Sequence, residues 1–348
     1  MLDYYYTKNP IEAITKVLHR IEGSYAFGII FADYPGKIYA ARKGSPLIVG
    51  KNEAGAFIAS DVPAILKYTR NVYYIEDKEV ACLSENDVRF FTLNEEEIEK
   101  ESVHIEWDVD AAEKGGYEHF MLKEMYQQPG VIEDFLLNNS QIDEFAISDD
   151  ELEKFNNLHF VACGSAYHVG ITSKYVIEEM ARIPVEVDLA SEFRYRNPIL
   201  NKNTLVVAIS QSGETADTLE ALRQAKKRGC KVLGIVNVMG SSIAREADYV
   251  IYTMAGPEIA VATTKAYSSQ LVAMYLFAIK LGKVKKILSE TQISDMIKEL
   301  KNLPRKMEEL LMHKEKIQKF ANRYKSIKNK IKLLIRSHNI LSLLAFLK

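Results

Sequence analysis

Three cysteines, Cys82, Cys163 and Cys230, are too few and too scattered along 348 residues for a disulfide framework. They fit a reducing compartment. No positively charged start with an apolar core behind it opens the chain, so no signal peptide is expected. No apolar run approaches the roughly 20 residues that span a bilayer, which argues against a membrane partner. Charge of one sign is lacking too: 45 Lys and Arg stand against 47 Asp and Glu, a net charge of −2. That balance gives no general reason to bind nucleic acid. The seven histidines show no metal-ligand spacing with cysteine or carboxylate, so neither a metal site nor a cofactor is expected. What remains is an ordinary globular balance, 47% hydrophobic and 26% charged, at a length that suggests two domains in the cytoplasm.

Three zones separate along the chain. From Met1 to about Asp110, an opening helix over Pro10–Arg20 precedes short strand candidates: SYAFGIIFA, KIYAARK, PLIVG, FIAS, VYYIED and EVACLS. A short helix over Val62–Tyr68 interrupts them, so this zone reads as a layered α+β sheet segment. From Glu95 to about Asn157 the sequence is acidic and reads as mostly helical, an inter-domain connector holding Trp107, Phe120, Met121, Met125 and Pro129. From Leu158 onward, strands and helices alternate. The strands LHFVAC, VEVDLA, LVVAIS, KVLGIVNV and DYVIYTM are apolar enough for a parallel sheet covered on both faces. Helices are expected from Gly164–Ser165 to near Arg182, after Thr215 with Gly229 closing it, at Ser242–Glu246, and over about Thr264–Leu281. The stretch Ile293–Tyr324 has apolar residues at helical spacing and reads as core or dimer packing.

One corner of this pattern carries chemistry. LVVAIS ends in QSGE and restarts as TADTLEALRQAKKR, which brings the hydroxyls of Ser210, Ser212 and Thr215 to a helix start. There the first backbone N–H groups lack intrahelical partners and the helix dipole favours an anion. Gly213 permits a tight turn and removes bulk where a ligand could approach. No lysine follows the glycine as in a nucleotide-triphosphatase loop, so the donors match one small phosphate monoester. Plain helix capping is the alternative for any single hydroxyl. Ligands of doubly wound sheets sit beyond the carboxyl ends of the strands, so Cys163-Gly164-Ser165 and Ser210–Thr215 are expected to face one pocket, with the loop Glu258–Lys265 closing it.

Other polar residues near these corners have competing readings. Cys163 reads as a small buried hydrophobe rather than an activated thiol. Lys265 reads equally as a phosphate partner or as a solvated or capping lysine. His168 reads as a packing residue. Glu214 reads as a base near a ligand or, with slight preference, as support for its helix start.

CGSAYH (Cys163–His168), SQSGETADT (Ser210–Thr218) and EIAVATTKAY (Glu258–Tyr267) resemble the sugar-isomerase (SIS) domain of the glutamine–fructose-6-phosphate aminotransferase family. GGYEHFMLKEMYQQP (Gly115–Pro129) is similar to that family's linker, and ARKGSPLIVG and FIASDVPAIL resemble the end of its glutaminase domain. The resemblance runs from about residue 10 to about residue 330. It implies a doubly wound α/β SIS domain preceded by a partial α+β glutaminase domain of the Ntn type. The implied division is 1–110 glutaminase part, 111–157 linker, 158–285 first SIS domain, and 286–348 helical connector with an altered start of a second SIS domain. It also implies that Ser210, Gln211, Ser212 and Thr215 hold the phosphate of a hexose 6-phosphate, with Ser165, Ala166, Val261 and Thr263 beside the sugar. Ala166 stands where many relatives carry serine and so lacks one hydroxyl; Thr263 replaces another serine and keeps it. A homodimer through SIS domains is implied as well.

The chain departs from the family pattern. It starts Met1-Leu2-Asp3 instead of with the nucleophilic cysteine, and it reaches Lys348 about where the second SIS domain would begin. KIKLLIRSHNILSLLAFLK after Asn329 does not resemble the expected corner, and no acidic residue follows Glu315. A truncated product or out-of-frame end is expected there, with a natural basic amphipathic helix as the alternative. The family converts glutamine and fructose 6-phosphate into glucosamine 6-phosphate and glutamate. This chain is expected to bind hexose phosphate without full turnover, so no catalytic residue is assigned. The alternative is a non-enzymatic sugar-phosphate-binding or assembly module. A stand-alone phosphosugar isomerase is disfavoured, because the lysine and glutamate of that chemistry lie outside this one domain. Strands left without partners in the N-terminal zone are expected to make it the more easily cleaved half.

Overall fold

The structure is a computed structural model and describes residues 1–105, 114–139, 141–142, 145 and 147–324. Trp107 and the segment after Asn329, both singled out above, lie outside the described residues.

The N-terminal part is built in four layers. Helix α1 (Leu2–Tyr5) leads into α2 (Pro10–Leu18), which starts where Pro10 occupies the first turn and Asn9 Oδ1 accepts from Glu12 N at 3.4 Å. Strands follow at β1 (Tyr25–Ile29), β2 (Ile38–Lys43), β3 (Ile48–Asn52), β4 (Gly55–Ala59), β5 (Asn71–Tyr74), β6 (Glu79–Leu83) and β7 (Val88–Thr92). Helix α3 (Val62–Ile65) sits between β4 and β5, capped by Asp61. Two very short strands complete the set, β8 (Glu97–Ile98) and β9 (Val103–His104). They pair antiparallel into sheets ordered β1-β2-β6-β7-β8 and β4-β3-β5-β9. Side-chain alternation along β2 sorts the layers: Tyr39 and Ala41 pack under α2, while Ala40 faces the second sheet with Val49, Ala81 and Phe90. Ile48, Val72 and Tyr74 on the far face of that sheet meet α3.

The acidic stretch after Glu95 therefore differs from the helical expectation at its start. Glu97–Ile98 and Val103–His104 are strands, because β7 and β5 offer open edges for them to pair with. Tertiary pairing overrode the local glutamate-rich composition. Among the described residues of this stretch, helix begins at α4 (Phe120–Asn138), which carries Pro129 inside it, followed by α5 (Asp149–Glu153).

Beyond it lies a five-stranded sheet, all parallel, ordered β11-β10-β12-β13-β14. Its strands are β10 (Asn157–Ala162), β11 (Val185–Leu189), β12 (Thr204–Ser210), β13 (Lys231–Val236) and β14 (Tyr249–Tyr252). Alternate residues feed two cores. Leu158, Phe160, Leu205 and Val207 face α6 (Gly164–Ala181) and α10 (Lys265–Val284). Val161, Val206 and Ala208 face α7 (Ala190–Tyr195), α8 (Ala216–Lys227) and α9 (Ser242–Glu246). Both faces are covered, which is why the strands read as continuous apolar runs. Helix α10 is buried nearly all round, and its Lys280, 1% exposed, donates to Phe145 O at 2.9 Å.

The periodic stretch after Ile293 resolves into α11 (Glu290–Lys301), α12 (Leu303–Leu311) and α13 (Lys314–Tyr324), broken at Asn302-Leu303-Pro304. Ile293 is buried, and Leu300, Leu303 and Met307 pack partly against the first of these cores. No helix of the described residues is long and apolar enough to cross a membrane.

Candidate functional site at the sheet switch point

Strand β10 has β11 on one side and β12 on the other, so the chain reverses its direction of sheet growth between β10 and β12. In such a sheet, the crevice beyond the carboxyl ends of these two strands is where ligands bind. Register pairs Val161 with Ala208 and Ala162 with Ile209, which sets the corners at Cys163 and Ser210 side by side. Thr218 Oγ1 on α8 lies 4.0 Å from Cys163 Sγ and ties the second corner to the first.

At the β12 corner the hydroxyls are arranged by one another. Ser210 Oγ lies 2.9 Å from Thr215 Oγ1 and accepts from Gly213 N at 3.0 Å. Ser212 Oγ accepts from Glu214 N at 3.2 Å. Thr215 is the N-cap residue of α8, yet its side chain makes no cap bond. The first-turn N–H groups of α8 thus keep their outward polarity, and three hydroxyls stand around them. Ser210 is buried, while Gln211, Ser212 and Thr215 are half-buried. The one acidic residue of that first turn, Asp217, is paired with Arg194 Nη1 of α7 at 2.5 Å, which offsets its repulsion of an anion.

Gly213 has φ +67°, where an L side chain is strained. The space that its missing side chain leaves is occupied. A Cβ there would stand 2.0 Å from Ser241 Oγ and 2.5 Å from Ser241 Cβ. The glycine makes room for Ser241 of the next corner rather than for a ligand, which corrects the expectation.

Glu214 is corrected in the same way. Its carboxylate accepts from Ser242 N at 2.6 Å and Ser242 Oγ at 2.8 Å, so it caps α9 and not its own helix. Arg42 of the N-terminal part lies 3.9 Å away. Burial raises the Glu214 pKa, against the two Ser242 bonds and the charges of Arg42 and Arg245.

At the β10 corner, Ser165 is exposed and Ala166 half-buried against the core. His168 is half-buried with Tyr167 edge-on at 5.5 Å, so it packs. Cys163 is half-buried rather than buried, because it forms the N-cap of α6 at the open corner.

The third segment, 253–264, has no regular structure and is held by side chains. Asn237, 1% exposed, donates its own N–H to Gln211 O at 3.0 Å and its Nδ2 to Gly256 O at 2.7 Å. Its Oδ1 accepts from Ala255 N at 2.7 Å, so one side chain joins this segment to the hydroxyl loop. Glu258 Oε1 accepts from Thr264 N at 2.8 Å and Ala266 N at 3.3 Å. Val261 is fully exposed and Thr263 half-buried.

Lys265 is not solvated, contrary to one of its two readings. It is 2% exposed, and its Nζ donates to Gln127 Oε1 of α4 at 2.9 Å. Desolvation lowers its pKa, against the charges of Glu124 and Glu258. Glu124, Gln127 and Asn237 escaped sequence reasoning, since each binds a partner far along the chain. A carboxylate and amides inside the buried face of a helix or at the end of an apolar strand were the available signal.

A SIS-domain family model matches residues 151–280. Fold and site thus define a SIS-domain protein. A glutamine–fructose-6-phosphate aminotransferase (isomerizing) of Caldanaerobacter subterraneus subsp. tengcongensis is 54% identical over 335 residues, covering 94% of this chain and 55% of the relative. One from Clostridium acetobutylicum is 53% identical over 327 residues, covering 92% and 54%. The C-terminal domain of glucosamine-fructose-6-phosphate aminotransferase from Francisella tularensis superposes with a TM-score of 0.58 at 40% identity, over 61% of each chain. This chain is similar to glutamine–fructose-6-phosphate aminotransferases over most of its own length and spans about half the length of the curated relatives it matches. Its antiparallel N-terminal layers are consistent with a partial glutaminase domain.

Proposed function

We propose that this chain grips a hexose 6-phosphate at the sheet switch point. Ser210, Gln211, Ser212 and Thr215, with the α8 N-terminus, take the phosphate, while Ser165, Ala166, Val261 and Thr263 flank the sugar. The observation that carries this reading is the Ser210–Thr215 hydroxyl pair at 2.9 Å beside a helix start that neither side chain caps. Donors already held in position lose little entropy when an anion arrives.

The relatives' reaction, glutamine plus fructose 6-phosphate giving glucosamine 6-phosphate plus glutamate, is proposed for the whole protein. For this chain we propose binding without full turnover. Lys265, the first residue of α10, is buried and donates to Gln127, and no other lysine lies in the three segments of the site. The division at 1–110, 111–157, 158–285 and 286–348 and a homodimer through SIS domains belong to the same reading. Assays for glucosamine 6-phosphate, from glutamine and separately from ammonia, test it. Product in either assay contradicts the binding-only reading.

A further inference from the structure

Helix α4 reaches across the chain to the segment Glu258–Thr264. Glu124 is 2% exposed, and its Oε1 accepts from both Ile259 N at 2.6 Å and Ala260 N at 3.1 Å. Its other oxygen, Oε2, is buried without a partner. One turn along the same helix, Gln127 holds Lys265, the first residue of α10. At the far end of the segment, Glu258 grips Thr264 N and Ala266 N. Two carboxylates therefore fix the backbone at both ends, and between them Val261 and Ala262 are exposed, Val261 fully.

A buried carboxylate is costly unless it is well bonded, and a helix packed on a loop only for stability would present an aliphatic side chain. A single acceptor on two successive N–H groups instead fixes the direction of the backbone between them. Lys265 lies near enough for the charges of Glu124 and Glu258 to oppose the desolvation that lowers its pKa.

We propose that Glu124 is a positioning residue for sugar recognition: it shapes the Glu258–Thr264 segment so that Val261 and Thr263 meet the sugar while the Ser210–Thr215 loop holds the phosphate. The proposal rests on the hexose-phosphate reading above. It assigns the linker helix α4 a task in specificity, beyond joining two parts of the chain.

The test uses the full chain, Glu124→Ala and Glu124→Gln, with two readouts. Amide hydrogen exchange is followed at Ile259 and Ala260, with Val206–Ala208 of β12 as the folding control. Calorimetry compares fructose 6-phosphate with inorganic phosphate. In Glu124→Ala, exchange at the two amides should rise roughly tenfold or more, as expected for loss of bonds to a charged acceptor. Affinity for fructose 6-phosphate should fall by about the same factor, ~1.4 kcal/mol, while affinity for inorganic phosphate stays within about twofold. Glu124→Gln keeps one acceptor oxygen and should recover part of both losses. If Glu124→Ala loses protection in β12, Glu124→Gln decides, with the same selective loss expected at smaller size. Unchanged exchange at Ile259 and Ala260, or equal losses for the two ligands, overturns the proposal. A wild-type chain that binds neither ligand sinks the hexose-phosphate reading itself, and the recognition role falls with it.

Discussion

Replacing Gly213 by alanine separates two costs that the structure assigns to that position. The first is conformational: φ +67° costs an L residue about 1–2 kcal/mol. The second is steric, since the new methyl would stand 2.0 Å from Ser241 Oγ and 3.4 Å from Val236 Cγ1, inside a fully buried corner. Overpacking of this kind costs about 1–3 kcal/mol. Gly164 is the internal control, because it has φ +60° but nothing within 4 Å of a built Cβ. Gly164→Ala should therefore lose ~1–2 kcal/mol and Gly213→Ala roughly 2–5 kcal/mol. Urea unfolding followed by far-UV circular dichroism measures both. Ser241 Oγ is buried without a hydrogen-bond partner, so Ser241→Gly sacrifices no bond and opens the space. The double variant Gly213→Ala/Ser241→Gly should recover about 1–3 kcal/mol relative to additivity. Equal losses at Gly213 and Gly164, or a double variant that is simply additive, would refute the steric account.

Alkylation should reach Cys163 first, because Cys82 and Cys230 are buried and burial raises both their pKa values. Peptide mapping after brief iodoacetamide treatment reads the order, and prior labelling of Cys82 or Cys230 would contradict it. Glu214 makes stability depend on pH. Its folded pKa lies above 4.5, so its contribution is complete below 4.5 and is lost as pH rises through the raised value. Glu214→Gln, which keeps the shape, should thus gain on the wild type between about pH 4 and pH 7 in urea midpoints. A gap that is flat or shrinks over that range would count against the buried carboxylate.

Much of the parallel sheet was legible because its strands are buried on both faces and its helices begin and end on recognisable residues. The short helix at Ser242–Glu246 was expected and is present, and Gly229, expected to close α8, stands just past its end at φ +80°. The hydroxyl corner was equally plain, since Ser210, Gly213 and Thr215 lie within a few residues of one another. What those residues do was less plain wherever the partner is distant. Gly213 makes way for Ser241, Glu214 caps a helix that begins 28 residues later, and Glu124 binds amides 135 and 136 residues away. The short strands β8 and β9 were hidden for a related reason: two-residue strands owe their existence to the edges they join. Local pattern recovers segments whose own side chains decide their conformation, and tertiary partners decide the rest.

The hydroxyl pair at the β12 corner is the most direct point of attack. Thr215→Val removes Oγ1, breaking its 2.9 Å contact with Ser210 Oγ, while preserving branching and volume. Calorimetric titration of the full chain with fructose 6-phosphate should give binding heat in the wild type and an affinity about tenfold weaker in the variant, ~1.4 kcal/mol. An absence of heat with the wild type, or equal affinity in the two proteins, would contradict the phosphate grip.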